Sequence, residues 1–215
     1  TEKSVIVTRK VAVCTGRSAR PLLAELGLDT LNIELTPDKA WIQVNEHMET
    51  SVSGVFAIGD MLGPQKSMLA HVASHEGMVA AEAAMGLDSK MAYHAIPGAI
   101  FTMPEIGAAG MTQAQLEKKN IPAQAVSVNF RNLGKAHAIG EIEGFAKLLI
   151  SPDTGRILGC HIIGPHATDL ISEAVLAIEN GLTVNDIAHT VYAHPTLAEI
   201  MGEAALKAIG SAVHG

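Results

Sequence analysis

Aromatic side chains are nearly missing from this sequence. Phe, Trp and Tyr together make up 3% of it, so aliphatic and methionine side chains must fill any core. Cysteine is as scarce. There are two, Cys14 and Cys160, each inside an apolar run. No Cys-x-x-Cys or other close pair exists, which excludes a local redox or metal motif. Two buried thiols in a reducing, cytoplasmic setting are expected. Basic charge is also short: the net charge is −7 and the pI is near 5.8. Nucleic acid and anionic membranes both need a basic face, so neither is an expected partner. No apolar run reaches the roughly 20 residues that span a bilayer. No basic segment followed by an apolar stretch opens the sequence, so no signal peptide is expected. Neither Gly-x-Gly-x-x-Gly nor Gly-x-x-x-x-Gly-Lys-Ser/Thr occurs, so the chain has no glycine-rich phosphate loop of its own. Repeats, low-complexity tracts and charge blocks are absent as well.

What is present is globular material: 48% hydrophobic and 17% charged residues over 215 positions. Val5–Val7, Val11–Cys14 and Trp41–Val44 read as short strands. Thr15–Ser18 reads as a turn, and Pro21 starts a short helix over 22–26 closed by Gly27. Val55–Ile58 is a continuous apolar run between turn residues, as expected of a strand buried on both faces. Gly59 and Asp60 follow at its C-terminal end, where open α/β sheets bind ligands. Asp60 there either accepts from a ligand hydroxyl or caps the next helix. That helix is predicted over 67–85, broad and small-apolar on its surface and ended by Gly86. His71 and His75 share one face near its start, but no third metal ligand accompanies them, so no metal is expected. A helix start facing an anion is the better functional idea.

A polar stretch from Asp88 to Pro97 marks the boundary between two expected domains, 1–90 and 91–215. Beyond it come the stretches 100–102 and 106–111, and strands are predicted at 125–130, 145–151 and 156–163, with a hairpin turn at Pro152–Gly155. Helices are predicted from Thr112 to Asn120, from Thr168 or Asp169 to Gly181, from Thr183, and finally to about Ile209. Grouped strands with helices after them indicate an α+β second domain.

Near the end stands Val191-Tyr192-Ala193-His194-Pro195-Thr196-Leu197-Ala198-Glu199. A histidine moves protons near neutrality, and a carboxylate on its far ring nitrogen fixes the tautomer and stabilises the imidazolium. Thr196 to Glu199 also spells a capping box, with Thr196 starting the helix and Glu199 reaching back. On spacing alone the cap is the better reading.

Together these stretches resemble the C-terminal part of the flavin- and pyridine-nucleotide-dependent disulfide oxidoreductases, over nearly the whole chain. Thr50–Asp60 matches the family's second flavin motif. Thr15-Gly16-Arg17 matches the turn returning to the flavin domain. Leu69-Ala70-His71 with Glu76-Gly77 matches the helix whose start faces the isoalloxazine. Gly144–Lys147 and Ile157–Gly164 match the interface domain, and His194-Pro195-Thr196 with Glu199 matches the active-site base and its partner.

The resemblance implies an α/β remnant of the FAD and NAD domains, followed by an α+β interface domain with an antiparallel sheet flanked by helices. It implies FAD and NAD as cofactors of the complete protein. Gly59, Asp60, Met68, Leu69, Ala70 and His71 would contact the flavin, with Asp60 on the ribityl chain. His194 would deprotonate a dihydrolipoyl thiol, oriented by Glu199, in a homodimer where it reaches the partner's site. The His194–Pro195 bond is one the family has as cis. Members without dithiol chemistry tend to have Tyr where His194 stands. Glutathione reductases carry two Ser and a second Glu around this Glu, and mercuric reductases end in a vicinal Cys pair. None of these occurs here, so dihydrolipoyl groups, carried by lipoyl domains of 2-oxo acid dehydrogenase or glycine cleavage complexes, are the implied substrate.

Ala19, Asp169 and Tyr192 depart from the usual Pro, Glu and His. The redox-active cysteine pair and both nucleotide loops belong to the family's N-terminal portion and are not in this sequence. The chain is therefore expected to be a fragment that is inactive alone and does not retain FAD. The competing readings are a non-catalytic dimerisation module and a relative with another disulfide substrate.

Overall fold

A computed structural model of the chain describes residues 7–14 and 25–212. Its contacts divide into two units, Thr1–Met91 and Ala92–Gly215.

The first unit is built around helix α1 (Ala70–Ala84), which buries Val72, Glu76, Val79 and Ala80. Most of what precedes it is loop. Trp41–Val44 and Val55–Ile58, predicted as strands, make one antiparallel bridge each, Leu35 with Ile42 and Glu49 with Phe56. A β ladder needs a neighbour along its length, and the described residues supply none. Of the second run only Ala57 is buried, and Ile58 is 37% exposed, so burial on both faces does not occur. Val11–Cys14 is exposed and without strand pairing among the described residues. Cys14 is thus exposed rather than buried, whereas Cys160 is buried. The turn at 15–18, most of Val5–Val7 and most of the helix predicted over 22–26 lie outside the described residues.

The second unit holds a five-stranded antiparallel sheet. Its strands are β1 (Gly98–Ile100), β2 (Glu105–Gly110), β3 (Gln124–Asn129), β4 (Phe145–Ile150) and β5 (Ile157–Gly164), in the spatial order β1-β2-β5-β4-β3. Side chains alternate across a strand, and the register puts one apolar set on one face. Ala109, Cys160, Leu148 and Val126 line up across four strands there, as do Gly107, Ile162, Ala146 and Val128. Helix α4 (Ala167–Glu179) covers that face over β2 and β5, and helix α6 (Glu199–Ala208) covers it over β3 and β4. Ile171, Ala174, Ile200, Met201 and Ala204 complete the core. Gly107 lets α4 sit close: a Cβ added there would come 2.2 Å from the Ala167 carbonyl oxygen.

Three short α-helices and a 3₁₀ turn (Phe130–Asn132) also belong to the unit. Helix α2 (Gln113–Lys118) begins in a capping box of Thr112 with Gln115, and α5 (Val184–Ala188) in one of Thr183 with Asp186. Helix α3 (Gly134–Ile139) is not foreseen in the sequence. The antiparallel sheet flanked by helices is the fold class expected. Among the described residues, no helix is long and apolar enough to cross a membrane.

Candidate active site

The loop between α5 and α6 carries His194. Its peptide bond to Pro195 is cis. Glu199, the first residue of α6, divides its carboxylate between two donors. Oε1 lies 2.8 Å from His194 Nδ1, and Oε2 accepts the Thr196 N–H at 2.8 Å. The reach-back half of the predicted capping box therefore exists. The other half does not. The Thr196 hydroxyl donates to the Ala193 carbonyl at 2.8 Å, and the N-cap position falls to Ala198, without a side-chain cap. Because the Thr196 hydroxyl is already engaged, the helix starts later than the spacing predicts.

The two partners differ in exposure. The His194 side chain is 70% exposed and that of Glu199 18%. A carboxylate at Nδ1 selects the tautomer with its lone pair on Nε2. The ring thus presents a proton acceptor outward, with a charge to stabilise the imidazolium behind it.

Sequence reasoning missed a second contact on this loop. Tyr192 Oη donates to Glu173 Oε1 on α4. Burial pushes the Glu173 carboxyl up, and the bond from Tyr192 only partly offsets it. Burial first, and the carboxylate second, push the Tyr192 phenol far above its ordinary value. Tyr192 stood out in the sequence only as a departure from the expected His, and Glu173 gave no signal.

In the first unit, Gly59 and Asp60 open a 3₁₀ turn (Gly59–Leu62). The Gly59 N–H donates to Glu76 Oε2 at 2.7 Å, and Glu76 is only 1% exposed. This buried carboxylate ties the turn to α1, and the sequence marked it only as part of a motif. Asp60 is half-buried. Helix α1 begins with no side-chain cap on Leu69, so its positive end is not neutralised by its own cap residue. Met68 and Leu69 are half-buried there; Ala70 and His71 are exposed, as is His75. Among the described residues no cluster of His, Cys, Asp or Glu has a metal-holding arrangement.

Comparison with known proteins agrees with this architecture. Residues 96–205 match the family model described as pyridine nucleotide-disulphide oxidoreductase, dimerisation domain, and residues 1–77 match the pyridine nucleotide-disulphide oxidoreductase model. The chain is 44% identical over 204 residues to dihydrolipoyl dehydrogenase of Chlamydia pneumoniae, covering 95% of this chain and 43% of that protein. It is 44% identical over 214 residues to dihydrolipoyl dehydrogenase of Geobacillus stearothermophilus, covering 99% and 44%. The chain thus spans under half the length of these curated relatives. Among solved structures, LpdA from Mycobacterium tuberculosis superposes with a TM-score of 0.81 at 29% identity, covering 88% of this chain and 41% of that one. The flavoprotein disulfide reductase RclA from Escherichia coli shares the fold, with a TM-score of 0.76 at 18% identity, covering 86% and 42%. An antiparallel sheet under two helices, a His–Glu pair at the start of the last helix and a model match over 96–205 lead to one conclusion: the chain belongs to the pyridine nucleotide-disulphide oxidoreductase family and contains its dimerisation domain.

Proposed function

We propose that this chain is the C-terminal part of a dihydrolipoyl dehydrogenase, and that it supplies the proton acceptor and the dimer interface. The observation that carries the reading is the His194–Glu199 pair, 2.8 Å apart with the imidazole facing outward. His194 Nε2 takes the proton of a dihydrolipoyl thiol. Glu199 holds the ring and stabilises the cation that results. The dithiol loses two electrons and two protons as its disulfide closes.

In the complete protein, bound FAD and NAD supply the route for the electron pair. The residues of the first unit suit a flavin. Asp60 is a half-buried carboxylate able to accept from a ribityl hydroxyl, on a turn that Glu76 fixes through Gly59. The uncapped start of α1, with Met68, Leu69, Ala70 and His71, suits an electron-rich ring edge. The chain by itself is inactive on this reading. The acting unit is a homodimer, its partners are lipoyl domains, and its two free thiols suit a reducing, cytoplasmic setting.

The test is His194→Gln in the complete protein. Loss of a general base costs about 10²–10⁴-fold in turnover. We expect dihydrolipoamide oxidation to fall by that much with FAD still bound. Unchanged turnover removes His194 from the role.

A further inference from the structure

Tyr192 stands two residues before His194 and touches two different helices. Its hydroxyl donates to Glu173 on α4. Its ring lies on Gly202 of α6, where an added Cβ would come 2.7 Å from a ring carbon, closer than packed carbons tolerate. From there to Glu199 the backbone is tied at short intervals. Ala193 O receives the Thr196 hydroxyl, and both His194 Nδ1 and the Thr196 N–H reach Glu199. All of these later ties lie within the loop or at the start of α6. The Tyr192–Glu173 bond leads instead to α4, which rests on the sheet.

We propose that Tyr192 and Glu173 are positioning residues that fix the His194 loop to α4, with Gly202 providing the seat for the tyrosine ring. This rests on the role given to His194 above. Without the bond, the upstream end of the loop loses its polar tie to α4, and the His194 ring gains freedom to shift. A base misplaced by about 1 Å can lose 10²-fold in rate. A phenol suits the task because it remains a donor throughout the working pH range, whereas a neutral imidazole donates from one nitrogen only.

The experiment compares Tyr192→Phe, Tyr192→His and Glu173→Gln in the complete flavoprotein. Tyr192→Phe keeps the ring on Gly202 and removes only the donor. Two activities are read: dihydrolipoamide oxidation by NAD, which needs the base, and NADH oxidation by ferricyanide, which does not. We expect Tyr192→Phe to lower the ratio of the first to the second about 10- to 100-fold through kcat, with KM little changed. Tyr192→His, which restores a donor, regains most of it. An unchanged ratio in Tyr192→Phe, or a parallel fall of both activities with the melting temperature, overturns the proposal.

A second measurement needs no substrate. In the 215-residue chain, the His194 Nδ1 proton held by Glu199 gives a downfield NMR signal, assigned by its loss in His194→Gln. Tyr192→Phe speeds its exchange with water; unchanged exchange overturns the proposal. If the unsubstituted enzyme does not oxidise dihydrolipoamide, the proposed function fails and this NMR result alone decides the role of Tyr192.

Discussion

His194 and Glu199 form an ion-pair geometry whose two ends face different surroundings. The imidazole projects into solvent and the carboxylate lies in shelter, 2.8 Å away. The second carboxylate oxygen is spent on the Thr196 N–H. One side chain therefore shapes the loop and orients the ring at once.

Glu199→Gln separates these tasks. A carboxamide whose oxygen still accepts the Thr196 N–H turns its NH2 towards His194 Nδ1, which favours the tautomer with the proton on Nε2 and removes the outward acceptor. We expect dihydrolipoamide turnover in the complete protein to drop at least tenfold, with Glu199→Ala no better. Turnover equal to the unsubstituted protein contradicts the orienting role of Glu199.

The start of α4 is capped from the sheet rather than from its own sequence. Glu105 Oε2 on β2 accepts the Thr168 N–H at 3.1 Å and its hydroxyl at 2.7 Å. The Thr168 hydroxyl chiefly, and the N–H next, hold the Glu105 carboxyl below its usual range. The folded value lies below the unfolded one, so this stabilisation is full above about pH 4.3 and fades as pH falls through the folded value. Glu105→Gln should cost about 0.5–2 kcal/mol at pH 7, the worth of a helix cap. The penalty should shrink at pH 3. Urea unfolding followed by circular dichroism at both values checks this; a penalty equal at both pH values contradicts it.

The two thiols should behave oppositely. Cys14 is exposed, whereas Cys160 is buried against Met201 with Sγ to Sδ at 3.9 Å. Burial chiefly, with the Glu173 charge second, pushes the Cys160 thiol up to about 12. The thiolate is the reactive form. A disulfide reagent at pH 8 should titrate one thiol in the native chain and both in denaturant. Rapid native reaction of two thiols contradicts the burial.

Gly107→Ala tests how closely α4 approaches the sheet. The added methyl meets the Ala167 carbonyl oxygen and Ile171 Cβ, both part of the helix itself. Overpacking of this kind costs about 1–3 kcal/mol. The melting temperature should fall by several degrees, whereas Gly134→Ala, with open space around its Cβ and no left-handed φ, should cost less. Equal effects contradict the packing argument.

The second unit was largely legible because its signals are local. Pro152–Gly155 announced the hairpin between β4 and β5, and Thr112 and Thr183 announced two helix starts that the structure forms with their own side chains. Gly134–Ile139 escaped because a six-residue helix with few apolar positions leaves no periodic trace. Val55–Ile58 misled for the opposite reason: an apolar run states a wish for burial, but only neighbouring strands can grant it. In the site, His194 and Glu199 were legible as a pair. The division of the carboxylate, and the bond from Tyr192 to Glu173, were not, because hydroxyl direction and long-range contacts have no sequence period.

The sheet order also has a kinetic side. β4 and β5 are consecutive strands joined by one turn, whereas β2 must find β5 across intervening chain, pairing Glu105 with Gly164. Closing a longer loop costs more entropy before any contact rewards it. The β4–β5 hairpin is therefore the natural nucleus, and Cys160 at its centre is among the first groups to leave water. β1, three residues long and paired with β2 alone, frays first. Amide hydrogens should exchange in that order, fastest at Gly98–Ile100 and slowest around Leu148 and Cys160.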